Sequence, residues 1–132
     1  MLNSKLFLSS RGAVVYVRVY NKESTNKYSL DEQESVITKY SKDNGFNILK
    51  VFREENASAK NFDRKAFSEM MHYINLNKFL VKFVVVIDLS RISTNPNGLK
   101  RLKRYLKENR IKLISIVQSL IRYSEKQAKQ AH

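Results

Sequence analysis

AVVYVRVYNKE, residues 13–23, is the stretch whose reading decides the fold. Val14, Val15, Val17 and Val19 are β-branched, no Gly or Pro interrupts them, and Arg18 is the only charge among them, so this half of the stretch reads as a buried strand. A buried strand therefore carries an arginine towards its carboxyl end. In open α/β sheets the ligand crevice lies just outside the carboxyl ends of the strands. Arg18, Tyr20 and the polar turn behind them are thus the candidate functional edge, the alternative being an arginine that snorkels to solvent on its aliphatic stem.

Downstream, a polar linker (Asn21 to Tyr28) precedes SLDEQ, where Ser29 and Glu32 have the spacing of a capping box and open a helix at Leu30. Asp31, Glu32 and Glu34 suit the positive end of that helix. Leu30, Val36, Ile37 and Tyr40 form its expected buried stripe, and Asn44-Gly45 its left-handed stop. Phe46 to Arg53 has the length of a second strand, and Glu54 to Phe62 reads as a loop. Asp63 is the expected N-cap of a helix through RKAFSEMMHYINLN, with Phe67, Met70, Met71 and Ile74 at core spacing and His72 turned to solvent or a partner. FVVVI, Phe83 to Ile87, has the signature of a central strand covered on both faces. A long polar turn, DLSRISTNPNG, follows it.

Leu99 to Asn109 reads as a third helix with Leu99, Leu102 and Leu106 inward and Lys100, Arg101, Lys103, Arg104 and Lys107 outward. Lys112 to Val117 is the last strand, and Leu120 to His132 a polar tail with helical propensity. The order βαβαβαβ with short loops calls for an α/β three-layer sandwich around a mostly parallel sheet of about four to five strands, joined by right-handed crossovers. Residues 1–11 are expected to form an N-terminal tail, 12–118 the domain, and 119–132 a tail or the start of a longer helix.

Composition narrows the chemistry. With 132 residues the chain can bury one core without staples. It has no Cys, and its two His (His72 and His132) are too few and too far apart for a metal cluster, which leaves oxygen nucleophiles, carboxylates and guanidinium groups, with no metal and no cofactor expected. The apolar core of MLNSKLFLSS is too short for a signal peptide, and Lys82 breaks the longest apolar run, Phe79 to Ile87. The expectation is a soluble cytoplasmic protein without membrane contact. The net charge of +13 points to a polyanion. Residues 98–132 hold ten Lys/Arg against two acids, which is more than a solvated helix face requires for solubility.

The two crevice-edge segments, YVRVYNKE and DLSRISTN, together with SLDEQ and SAKNFDRKAF, resemble the catalytic domain of the serine site-specific recombinases, the resolvase and invertase family. The likeness runs in consistent order from Ala13 to Val117 and rests on four counterparts: the family's YxRVS-T strand end, S-L-x-x-Q helix start, S-G-x-x-x-x-R loop and D-R-L-S-R-N turn. The resemblance implies DNA cleavage by attack of the first motif's serine on a phosphodiester, with arginines stabilising the phosphorane-like charge. Guanidinium forks suit that task because they hold non-bridging oxygens bidentately and keep their proton. Carried over by position, Tyr16, Arg18, Gln33, Ser58, Arg64 and Arg91 match family residues.

The departures fall on the chemistry. Tyr20 stands at the position of the serine nucleophile and Asn21 at that of the following Thr. In the turn, Ser90 takes the place of the Asp and Thr94 that of the second Arg, while Ala59 replaces the loop Gly and Ser24 a common Gln. The resemblance further implies DNA as partner, a homodimer or a hetero-assembly with recombinase subunits, and a long dimerisation helix of which Leu120 to His132 holds at most the beginning. The leading expectation is a recombinase-type domain that keeps DNA-phosphate binding, with Lys100, Arg101, Lys103, Arg104 and Lys107 as its DNA-binding set, and is impaired in cleavage. A non-enzymatic basic module for protein or RNA, and an active recombinase using Tyr20 or Ser24, are the alternatives.

Overall fold

The computed structural model describes residues 11–20, 28–56, 64–93 and 95–130. Four strands form one sheet in the order β2-β1-β3-β4: β1 (Gly12–Tyr20), β2 (Asn47–Asn56), β3 (Val81–Val86) and β4 (Lys112–Ser115). All neighbouring pairs are parallel. Among the described residues five helices accompany them: α1 (Leu30–Asp43), α2 (Lys65–Leu76), the one-turn α3 (Leu89–Ile92), α4 (Pro96–Glu108) and α5 (Ile116–Gln130).

β1 is central, as its β-branched run requires, and Ala13 through Val17 are wholly buried. Strand alternation divides it between two cores. Val14 and Tyr16 join Phe52, Val84 and Val86 beneath α2 and α4, which contribute Met70, Ile74, Leu102 and Leu106. Ala13, Val15 and Val17 join Val85 and Ile114 beneath α1 and α5, through Ile37 and Ile116. This is the three-layer arrangement, with four strands. At the start of β1, Gly12 is required by a close approach: a Cβ there would lie 2.1 Å from the Leu80 carbonyl oxygen.

Several boundaries differ from the sequence reading, each for a local reason. The capping box at Ser29 forms as expected, Asn44 is the C-cap, and Gly45 takes φ 72°. Val36, however, is 39% exposed, and Gln33 and Ser41 are buried beside Ile37 instead. β2 continues past Arg53 to Asn56 because it stays in register with β1 as far as Tyr20. The polar turn contains α3, whose Ile92 is fully buried. α4 starts at Pro96 rather than Leu99, since Asn95 accepts from the Asn97 and Gly98 amides and Pro suits the first helical position. β4 stops at Ser115, and the expected tail is helix from Ile116 onward, running through position 118 without a break. Asp63, the expected cap of α2, lies outside the described residues. His72 is exposed as expected.

α2 is capped from a neighbouring strand. Glu54 on β2 accepts from the Ala66 and Phe67 amides, both at 3.0 Å, and from the Tyr16 hydroxyl at 2.9 Å. Arg64, at the cap position itself, makes no side-chain capping bond. A buried carboxylate on the helix's positive end thus satisfies two of its orphan amides. Replacing Glu54 with Ala should lower stability by about 2–4 kcal/mol in urea unfolding, because three donors lose a charged acceptor; a loss within the range of ordinary surface substitutions would show that the cap does not hold α2. Burial pushes the Tyr16 phenol up to about 12 from 10.0. The unfolded chain then loses this proton at lower pH than the folded one, so stability falls as pH rises from 10 through 12. The gap in unfolding midpoint between the parent chain and Tyr16→Phe should therefore shrink across that window, and a gap independent of pH would contradict the assignment.

Candidate functional site

The carboxyl end of β1 meets the turn after β3, and the side chains there are tied to one another's backbone. Gln33, one turn into α1 and wholly buried, donates from Nε2 to the Arg18 carbonyl at 2.9 Å and to the Tyr28 carbonyl at 3.1 Å. Its Oε1 accepts from the Arg18 amide at 3.3 Å. The capping box at Ser29 sets the helix start and so delivers Gln33 to this point. Arg91, on α3 and buried, donates from Nη1 to the same Arg18 carbonyl at 3.1 Å. The Arg18 guanidinium, buried as well, donates back to the Ser90 carbonyl at 2.9 Å. Arg18 and Arg91 are therefore locked reciprocally across the crevice.

Arg64 closes the group from the start of α2. Its Nη2 donates to the Ile92 carbonyl at 2.6 Å and to the Tyr16 hydroxyl at 3.2 Å. Its guanidinium carbon also lies 4.1 Å from the centre of the Phe67 ring, in cation–π contact. The phenol that donates to Glu54 thereby receives a proton donor from Arg64, so Tyr16 links the cap of α2 to the arginine group. Asp88 at the head of α3 accepts from the Ser90 hydroxyl and has Oδ2 3.6 Å from Arg91 Nε, an ion pair too long for a hydrogen bond. The Nε groups of Arg64 and Arg91 are buried and have no hydrogen-bond acceptor among the described residues. Three guanidinium groups are thus fixed to two neighbouring pieces of backbone, Arg18 and residues 90–92, and among the described residues Glu54 reaches the group through Tyr16 and Asp88 stands beside Arg91. Guanidinium groups held in this way can hold an oxyanion.

The expected residues Tyr16, Arg18, Gln33, Arg64, Ser90 and Arg91 are brought together. Ser90 takes part through its carbonyl and through the bond to Asp88. Tyr20 closes β1 opposite Asn56 in register. Ser58 and Thr94 lie outside the described residues, as do Asn21, Ser24 and Ala59. Lys100, Arg101, Lys103, Arg104 and Lys107 are exposed along α4, and none of the described hydrogen bonds joins them to the arginine group. Glu54 was missed, because residues 54–62 read as a loop. Its signal was the two-residue spacing from Phe52, which continues the buried face of β2 into an acid just before a helix start. Nearby, Arg53 on β2 bonds Asp31 and Glu34 of α1, both at 2.8 Å, and these carboxylates raise its pKa.

Comparison with known proteins agrees with this geometry. The family model Resolvase, N terminal domain, matches residues 13–131. Among solved structures, the N-terminal catalytic domain of TP901-1 integrase is 25% identical with a TM-score of 0.70, over 82% of this chain and 78% of that one. A resolvase family site-specific recombinase from Streptococcus pneumoniae is 23% identical with a TM-score of 0.69, over 91% of both chains. The C-terminal catalytic domain of ISC1926 TnpA, an IS607-like serine recombinase, shares the fold at 19% identity and a TM-score of 0.66, over 92% of this chain and 85% of that one. No curated protein sequence matches. No helix among the described residues is long and apolar enough to cross a membrane. With strand order, arginine-bearing crevice and family match in agreement, the chain belongs to the resolvase family and is a catalytic domain of the serine-recombinase type.

Proposed function

We propose that this domain binds DNA phosphates at the Arg18, Arg64 and Arg91 edge, is impaired in strand cleavage, and acts through DNA association and pairing with recombinase subunits. The observation that carries the reading is the convergence of these three arginines on one crevice edge, two of them with a buried Nε–H that lacks an acceptor among the described residues. A phosphate oxygen is the acceptor such donors suit, because buried polar groups are otherwise nearly always paired. The names integrase and site-specific recombinase borne by the structural neighbours fit the same substrate class. The exposed cations of α4 add a sequence-independent attraction to the polyanion. On α5, Leu120, Ile121 and Tyr123 are more than half exposed, an apolar surface that supports subunit pairing.

Impairment rests on residue chemistry. A serine hydroxyl is held close to the main chain, where in-line attack on a gripped phosphate is a matter of positioning. A phenol oxygen is carried beyond that volume by its ring. Thr94 removes one more guanidinium, and losing a single preorganised donor typically costs about a hundred- to a thousandfold in rate.

Duplex DNA without any particular site should bind with a Kd of about 1–100 µM at physiological salt, weakening steeply as salt rises. Arg101→Ala combined with Arg104→Ala should flatten the plot of log affinity against log salt; an unchanged slope would show that α4 does not face DNA. On a denaturing gel, the chain incubated with nicked or supercoiled DNA carrying a crossover site should give no covalent adduct. Tyr20→Ser alone should recover little, whereas Tyr20→Ser with Thr94→Arg and Ser90→Asp should recover more. A shifted band from the parent chain that vanishes in Tyr20→Phe would overturn the impaired reading and make Tyr20 the nucleophile.

A further inference from the structure

A second basic site lies at the other end of the sheet. Where α4 turns into β4, Leu106 and Ile111 floor an open cavity of about 380 Å³, and Lys103, Lys107, Arg110 and Lys112 stand around it. No acid lines it. The cavity is at the amino-terminal end of β4, whereas the arginine group stands at the carboxyl ends of β1 and β3, and all these strands are parallel. Leu106 and Ile111 are almost completely buried, at 1% and 4% exposure, Leu113 beside them is half-buried and supplies open apolar surface, and the four cations are exposed.

The turn that builds the cavity is unusual in one residue. The Ile111 amide donates to the Leu106 carbonyl at 2.8 Å and the Arg110 amide to the Lys107 carbonyl at 3.0 Å, the paired bonds of a Schellman helix end. The left-handed position of that motif ordinarily takes glycine, because a Cβ is unfavourable there. Here it is Arg110, at φ 58°, the only non-glycine residue with positive φ among those described. A guanidinium is thus set on the cavity rim at a position where the backbone disfavours any side chain.

We infer that this cavity docks an acidic, amphipathic segment of a partner protein, which sets one apolar side chain on the Leu106 and Ile111 floor and flanking carboxylates on the four cations. Charge complementarity selects the partner: an unrelieved cationic rim demands an anion, and a second copy of this chain, at +13, is repelled. The apolar floor selects against nucleic acid. Phosphates gain nothing from it, and no aromatic ring lines the cavity to stack a base. The volume falls in the range of ligand-sized clefts. The inference shares Lys103 and Lys107 with the DNA reading, whereas Arg110 and Lys112 belong to the cavity alone and Lys100, Arg101 and Arg104 do not line it.

Fluorescence anisotropy tests it with the full chain and a short labelled peptide alternating Glu and Leu, beside an all-Glu peptide of the same length and an oligo-dT competitor. The Glu/Leu peptide should bind about tenfold more tightly than the all-Glu peptide, the ratio expected from burying part of one leucine-sized side chain. Arg110→Gly should weaken the peptide about fivefold while leaving the melting temperature equal or higher, because glycine is the better residue at that turn. This separates lost binding from lost folding. Lys39→Ala, which removes one charge from the opposite layer, should leave peptide affinity unchanged. Equal affinity for the two peptides, undiminished binding by Arg110→Gly, or displacement of the peptide by oligo-dT more readily than by unlabelled peptide would each overturn the proposal.

Discussion

The peptide groups of Arg18 are the point on which the site depends. β1 pairs with β2 along its whole length, Gly12 to Tyr20, but with β3 only from Gly12 to Val15. Beyond Val15 one edge of a buried strand has lost its neighbour, and its amides and carbonyls must be satisfied by something other than a ladder. Gln33 satisfies both groups of Arg18, taking its amide and donating to its carbonyl, and Arg91 donates to that carbonyl as well. The divergence of β1 from β3 also opens the crevice. In the order β2-β1-β3-β4 the chain moves to one side of β1 and then returns to the other, so the gap lies at the reversal where open α/β sheets place their ligands. One side-chain amide therefore closes the backbone accounting at the place where the fold opens.

A second brace, through Tyr16, ties the crevice to α2. Glu54 holds the first amides of α2 and accepts from Tyr16, Arg64 donates to Tyr16 and to Ile92, and the Phe67 ring lies against the Arg64 guanidinium. The cost of keeping Glu54 in an apolar layer is offset by three donors and the helix dipole. Because the two braces meet on residues 90–92, displacing α3 would disturb all three arginines together. The geometry at the strand ends is thus a property of β1, β2, α1, α2 and α3 jointly, and a change in any one of them reaches the others through a hydrogen bond of ordinary length.

The layers were legible in the sequence because they follow from unbroken β-branched runs and a capping box, which depend on neighbours along the chain. Arg18 was legible from its place at the carboxyl end of a buried strand, whereas its grouping with Arg64 and Arg91 was legible only through a resemblance, since nothing in their spacing shows that three distant segments meet. What the sequence hid was tertiary compensation. Glu54 looked like the first residue of a loop because an acid on a buried strand face makes sense only once the amides of α2 are known to sit above it. β4 was read two residues too long for the opposite reason: Ile116 and Val117 are β-branched and fit a strand locally, yet the Val117 amide bonds the Ile87 carbonyl as the chain enters α5. Lys100 to Lys107 were legible as a charged face, while Arg110 was not, because its rare backbone conformation is set by the Schellman bonds and not by the identity of the residue.

The double duty of the arginines bears on what their presence means. Arg18 holds the Ser90 carbonyl, Arg91 the Arg18 carbonyl, and Arg64 the Ile92 carbonyl and a buried phenol. Removing Arg18 or Arg64 would take a donor from the Ser90 or Ile92 carbonyl, and removing Arg91 would leave the Arg18 carbonyl to Gln33 alone, losses that are costly whether or not a phosphodiester is ever attacked. Their retention is therefore accounted for by the fold alone and is weak support for catalysis. The departures that the resemblance implies fall elsewhere, at Tyr20, Ser90 and Thr94, and Ser90 meets the Arg18 guanidinium through a backbone carbonyl that any residue would supply. An arginine edge of this kind can thus be well formed whether or not a nucleophile stands beside it, which is why holding a phosphate and cutting beside it are separate questions for this fold.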